Sequence, residues 1–238
     1  MQTGNLEYRG KDGKKYIGFL AQPDKPSGAA VIIAHSAFGL ADHERNFATR
    51  LAETGYIALA ADYHGGGELL PVETMMTRIG PILGDPSLVR PAMLAALDAL
   101  RAQDGVDSKR IVSAGFCFGG AAVFELACTG EDVKAAVGFH SSLPTNRPED
   151  SKAIKGAVLM LQGAADPMVP PEMRNTFEAQ MNEMGVDWGM TLYGGTLHGF
   201  TMVGVEKTGF PGVAYLERAD KRSWRAMIDL FDEKIGKP

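Results

Sequence analysis

Apolar and polar positions along the chain fall into alternating segments of two kinds. Ala29 to Ala34, Tyr56 to Ala61, Ile111 to Ala114, Val133 to Phe139 and Ala157 to Gln162 are short, nearly continuous apolar runs, the pattern of strands buried on both faces. Leu6 to Tyr8 and Lys15 to Ala21 read as two further strands joined by a turn at Lys11-Asp12-Gly13, and Asp187 to Tyr193 as another. Between these runs lie stretches with helical character: Asp42 to Thr54 (closed by Gly55), Pro86 to Gln103 (with Pro86 in its first turn), Gly120 to Cys128, Pro171 to Met184, and Val213 to Ile235 after an irregular start. Glu68 to Asp85 holds Pro71, Pro81 and two glycines and reads as an irregular insertion over the rim of the sheet. Gln22 to Gly28 is a loop too short to link domains, and a polar loop runs from Ser142 to Lys155. Strands alternating with helices predict a mostly parallel central sheet with helices on both faces, in one α/β domain spanning residues 1–238.

Composition narrows the class of function. Hydrophobic residues make up 45% and charged residues 22%, the ordinary balance of a soluble globular protein. A net charge of −5 spread over mixed-sign segments carries no basic footprint, so no nucleic-acid partner is expected. No apolar run approaches spanning length and Met1 to Gly10 lacks the layout of a signal peptide, which predicts no membrane partner and a cytoplasmic setting. The two cysteines, Cys117 and Cys128, lie along one predicted helix, a poor geometry for a disulfide, and Cys128 reads as core packing.

The chemistry concentrates at Gly115-Phe116-Cys117-Phe118-Gly119, between the strand at Ile111 and the helix at Gly120. This is the G-x-S-x-G nucleophile elbow with cysteine in the serine position. Glycines relieve crowding across so sharp a turn, and the helix start aims unpaired N–H groups at the sulfur, favouring thiolate over thiol. A lone cysteine after a strand is more commonly a buried core residue, so the elbow needs a base and an orienting acid beside it. Sites in parallel sheets form beyond the carboxyl ends of the strands. There the chain places His35, Ser36, Asp62, His64, Cys117, His140, Asp166 and His198, with His43 alone among five histidines elsewhere. Cys117, Asp166 and His198 follow the α/β-hydrolase order of nucleophile, acid and base. Asp166 would otherwise be a turn former before Pro167, and His198 a loop histidine packed by Phe200. Asp62 precedes the elbow, in the wrong order for the acid, and is expected to be structural. Phe118 and Ala37 are the predicted oxyanion-hole donors, Ser36 being the alternative to Ala37.

These segments resemble the dienelactone hydrolase (carboxymethylenebutenolidase) family of α/β hydrolases over nearly the whole chain. The carrying residues are Gly115 to Gly120, Gly163-Ala164-Ala165-Asp166, His198-Gly199-Phe200 and the loop Ala34-His35-Ser36-Ala37-Phe38-Gly39. The resemblance implies the α/β-hydrolase fold and hydrolysis of a carboxylic ester or lactone through an acyl-cysteine, without metal or cofactor. Members that cleave dienelactone carry a glutamate two residues before the Phe-Gly pair and an arginine four residues after the catalytic histidine. Ser36 and Met202 stand in those places here. Without the early-loop carboxylate, two resting states are open, a Cys117–His198 ion pair and a neutral thiol deprotonated only during attack, and the ion pair is the one favoured. Without the arginine, Arg78 is the nearby cation left to grip a substrate carboxylate. Phe38, Tyr63, Phe118, Phe200 and Met202 would furnish an apolar wall, although Phe38 equally suits the core. A neutral, apolar ester or lactone is therefore the expected substrate, bound by Ser36, Tyr63, Arg78 and Met202 in a monomer or homodimer. Three other readings compete: a catalytically idle binding or sensor protein on the same fold, a metal site built from the rim histidines with Asp62, and a dinucleotide site. The chain has no H-x-H, H-E-x-x-H or G-x-G-x-x-G spacing to support the last two.

Overall fold

In a computed structural model, residues 1–144 and 146–238 are described; Thr145, in the polar loop expected after Ser142, lies outside them. The strands are β1 (Gln2–Arg9), β2 (Lys15–Gln22), β3 (Ala30–Ala34), β4 (Ile57–Ala61), β5 (Ile111–Phe116), β6 (Ala135–Phe139), β7 (Ala157–Gly163) and β8 (Trp188–Tyr193). They form one eight-stranded sheet in the order β1-β2-β4-β3-β5-β6-β7-β8. The pairs β1–β2 and β2–β4 are antiparallel, and every pair from β4–β3 to β7–β8 is parallel. A parallel sheet from β4 to β8 with an antiparallel edge, packed by helices on both faces, is the α/β-hydrolase fold.

The continuous apolar runs are buried because alternate residues feed two different layers. Ile32, Ala34, Leu59 and Ile111 face α3 (Arg90–Arg101) and α4 (Phe118–Ala127). Val31, Ile33, Val112 and Phe116 face α1 (Asp42–Glu53) and α6 (Glu217–Ile235). α5 (Pro171–Met184) closes a smaller cluster, burying Phe177 and Met181 against Phe124 of α4 and Met160 of β7. The chain leaves β3 toward β4 and returns to β5 on the other side, so a crevice opens between the ends of β3 and β5. Gly119 makes that crevice narrow: a Cβ there would collide with the carbonyls of Ala34 and His35.

Three sequence expectations are corrected. Glu68 to Asp85 is not irregular, for α2 spans Val72–Gly84, with Met75, Ile79 and Ile82 buried at helical spacing and Pro81 tolerated inside it. Pro86 to Gln103 is not one helix. Pro91 offers no N–H and would crowd the carbonyl of Ser87, so Pro86–Val89 forms a 3₁₀ turn and α3 begins at Arg90. Residues 213–216 are not helical either. Val213 bridges His198 and Leu216 N donates to Phe200 O, and only then does α6 start. The polar loop also contains a 3₁₀ turn at Pro148–Ala153. Among the described residues, no helix is long and apolar enough to cross a membrane.

Phe231 of α6 is wholly buried and packs on the ring of Tyr56 with centroids 6.1 Å apart. Phe231→Ala should lower stability by about 3–5 kcal/mol. Urea unfolding is the measurement: a lower midpoint at unchanged slope is expected.

Candidate active site

Cys117 sits between β5 and α4 with φ 55° and ψ −120°, a conformation that costs a non-glycine residue about 1–3 kcal/mol. Sheet-like bonds hold it there: Cys117 N donates to Phe139 O at 3.0 Å, and Cys117 O accepts from Gly120 N at 3.2 Å and from Ser142 N at 3.2 Å. The thiol therefore stands at the N-terminus of α4, in reach of the Phe118 N–H and, across the crevice, of the Ala37 N–H, both of which hydrogen-bond the sulfur.

Asp166 follows β7 and is 3% exposed. Its Oδ2 lies 2.8 Å from His198 Nδ1, while Oδ1 accepts from Met168 N at 2.8 Å. His198 follows β8 and is held by its own backbone, donating to Gly212 O at 3.1 Å and accepting from Ala214 N at 3.1 Å. The imidazole also hydrogen-bonds Cys117. Carboxylate, imidazole and sulfur thus form one chain, with the two amides at its far end.

The electrostatics follow from that chain. Burial alone would raise the Cys117 thiol, but His198 and the amides of Phe118 and Ala37 outweigh it and leave the thiol lowered. Burial likewise lowers His198, but Cys117 and Asp166 outweigh it and push the imidazole up to about 10. The two shifts run in the directions that favour a thiolate beside an imidazolium. Burial pushes the other elbow-helix thiol, Cys128, up to about 12, and it packs against Val158 and Phe177 in the core.

Above the sulfur lies a cavity of about 480 Å³. Ser36, Ala37, Phe38 and Phe118 line its floor, and Met75, Met76, Ile79 and Leu83 of α2 form one wall. Leu143, Met168 and Met173 stand on another side, with Met202, Val205 and Phe210 from the segment after His198. No lysine or arginine is among the described residues that line it. The α2 wall was missed in the sequence because Pro71 and Pro81 read as breakers, although the apolar i, i+4, i+7 spacing of Met75, Ile79 and Ile82 carried the signal.

Other sequence candidates turn away from the cavity. Arg78 is corrected as a substrate cation: its Nη1 donates to His64 O at 2.9 Å and to Gly65 O at 3.0 Å. Tyr63 is corrected as a wall residue, because its hydroxyl points inward to His35 O and Ser36 O, 3.0 Å from each. Phe200 is buried between Tyr193 and His140. Asp62 accepts from the backbone of Ile17, His64, Gly65 and Gly67, which is structural work. His43 is not apart from the other histidines: its ring packs on Phe116 and its Nε2 lies 3.5 Å from Thr201 Oγ1, which in turn is 2.9 Å from His140 Nε2. Among the described residues, no three His, Cys, Asp or Glu side chains gather as metal ligands would.

With this geometry in view, residues 17–235 match the model of the dienelactone hydrolase family. The chain belongs to that family. A solved structure titled m3DLH is 39% identical, covers 98% of each chain and superposes with a TM-score of 0.92. A second, described as a dienelactone hydrolase-like promiscuous phosphotriesterase, P91, from metagenomic libraries, is 36% identical over 99% of each chain with a TM-score of 0.93. A Saccharolobus solfataricus protein, provisionally named a carboxymethylenebutenolidase, is 29% identical over 79% of this chain and 85% of its own. The chain is accordingly a hydrolase of the dienelactone hydrolase type, with Ser36 and Met202 at two positions where the sequence resemblance called for charged residues.

The lowered thiol predicts that ultraviolet thiolate absorbance lost in Cys117→Ala titrates below an ordinary thiol, and that iodoacetamide labels Cys117 long before Cys128. In Cys117→Ala the His198 imidazole loses its strongest raising partner, so its NMR titration should move down from about 10.

Proposed function

We propose that this dienelactone hydrolase-like protein cleaves a neutral carboxylic ester or lactone through an acyl-cysteine intermediate. The observation that carries the reading is the meeting of the Cys117 sulfur with His198 and two backbone N–H donors beneath an uncharged cavity. The thiolate attacks the carbonyl carbon, and the electron pair of the C=O bond moves onto oxygen, which the Phe118 and Ala37 N–H groups stabilise. As the tetrahedral intermediate collapses, the C–O bond to the alcohol breaks and His198 gives its proton to the leaving oxygen. Water then attacks the thioester while His198 takes its proton, and the acid leaves as Cys117 returns to thiolate. Asp166 keeps the imidazole in the tautomer and orientation that both transfers need.

Cys117→Ala should remove aryl-ester turnover by several powers of ten. His198→Ala and Asp166→Ala should each be severe, and the double variant hardly worse than His198→Ala, since such residues act as a unit. Additive losses, or full activity without the thiol, would sink the reading and leave a binding protein on a hydrolase fold.

Beyond Cys117 and His198 the described lining carries no charged side chain, which supports a neutral substrate, because a carboxylate entering a dry pocket needs a cation not already paired. A methyl ester should therefore exceed its carboxylate-bearing counterpart by tenfold or more in kcat/KM, about 1.4 kcal/mol of transition-state binding. A neutral aryl phosphotriester meets the same walls, and the described activity of the metagenomic neighbour gives it a place in the same substrate panel.

A further inference from the structure

Three consecutive peptide units between His35 and Phe38 are gripped from behind by side chains that the proposed reaction does not use. In the first, His35 O accepts from Tyr63 Oη at 3.0 Å and Ser36 N donates to Glu44 Oε1 at 3.3 Å. In the second, Ser36 O accepts from His35 Nδ1 at 2.6 Å and shares the single Tyr63 Oη proton, at 3.0 Å, with His35 O. In the third, Ala37 O lies 2.9 Å from His64 Nε2. Carbonyl oxygens only accept, so His35 Nδ1 and His64 Nε2 each carry a proton. His35 Nε2 faces the Tyr63 N–H, 3.3 Å away.

The middle unit matters most. A trans peptide is planar, with its C=O and N–H pointing in opposite directions, so whatever fixes Ser36 O also fixes the Ala37 N–H. That N–H is the one that reaches the Cys117 sulfur from the β3 side. Were the unit to flip, a donor would be lost and the negative end of the Ser36 carbonyl would face the thiolate. Tyr63 is suited to prevent this: it is 5% exposed, stacks on His35 with centroids 3.8 Å apart, and burial raises its phenol so that it stays a donor.

We propose that Tyr63 and His35 are positioning residues that lock the Ser36–Ala37 peptide with its N–H toward Cys117, while Glu44 and His64 brace the units on either side. The consequence for turnover rests on the acyl-cysteine reading; the consequence for the thiol does not. Losing a whole oxyanion-hole donor costs about 10²–10³ in kcat. Tyr63→Phe leaves His35 on Ser36 O, so roughly a tenfold loss in kcat is expected, with KM within about twofold. Adding His35→Phe should carry the loss toward about a hundredfold.

The experiment measures kcat and KM for a 4-nitrophenyl ester together with the ultraviolet titration of the Cys117 thiolate, in wild type, Tyr63→Phe, the double variant and Tyr56→Phe. Tyr56 also buries a tyrosine side chain but packs on α6, so Tyr56→Phe should change neither readout. In Tyr63→Phe the thiolate transition should move to higher pH as kcat falls, because one amide serves both the thiolate and the oxyanion. A folded Tyr63→Phe with kcat within twofold and an unmoved thiolate overturns the proposal, as does a loss confined to KM or to Tm. If the double variant fails to fold, the single one decides. Should wild type turn over no ester at all, the proposed function falls and the thiolate titration alone decides the lock.

Discussion

A sulfur buried under an apolar roof yet drawn toward its charged form is the constraint on which the rest of this structure depends. Desolvation favours the neutral thiol, and only a nearby cation and hydrogen-bond donors can reverse that preference. Three do so, and they come from three places: the imidazole after β8, the first amide of α4, and the second amide of the loop after β3. The charge of His198 is the strongest of these, and the hydrogen bonds of the imidazole and the two amides add to it. A parallel sheet satisfies the requirement by delivering β3, β5, β7 and β8 to one edge with their carboxyl ends aligned. The strained backbone of Cys117 is the cost of raising the sulfur to that edge, and bonds to β6 and to Ser142 keep it there.

That geometry explains what could be read in the sequence. Once parallel strands were assigned, every residue just past a strand end was bound for the same rim, so Cys117, Asp166 and His198 came together although 81 positions separate the first from the last. The direction in which a rim side chain points was not readable. Tyr63 and His64 follow β4 as Asp166 follows β7, yet both turn back to the β3 loop because its carbonyls, buried behind the sulfur, need donors. Likewise residues 213–216 carry enough apolar character to extend a helix. They are extended because the His198 segment offers unpaired backbone groups alongside. α2 was hidden by its prolines, whose local preference was overridden by burial of Met75, Ile79 and Ile82.

The histidines divide by what faces them. Burial pushes His43, His64 and His140 down, and His140 is pushed further by His198 and His43. His198 alone of these has a carboxylate on one nitrogen and a sulfur on the other, and it alone is raised. The ring of His140 stands 5.0 Å from that of His198, so charge on either ring opposes charge on the other. A cluster that resembles a metal site in sequence is, in space, a set of rings turned to separate partners, Asp166 and Cys117 for His198, Ala37 O for His64 and Thr201 for His140.

The cation that could have recognised an anionic substrate is spent on the same task. Arg78 rises from α2 at the edge of the cavity but gives its guanidinium to the carbonyls of His64 and Gly65. That contact fixes the turn from which His64 reaches Ala37 O, next to the amide that faces the sulfur. Freeing Arg78 to grip a carboxylate would therefore loosen the loop on which the oxyanion depends. Beyond Cys117 and His198, the described lining offers an entering anion no charged side chain, and the walls are too apolar to screen one. The apolar walls of the cavity and the bracing of the β3 loop are thus two results of one allocation of charge.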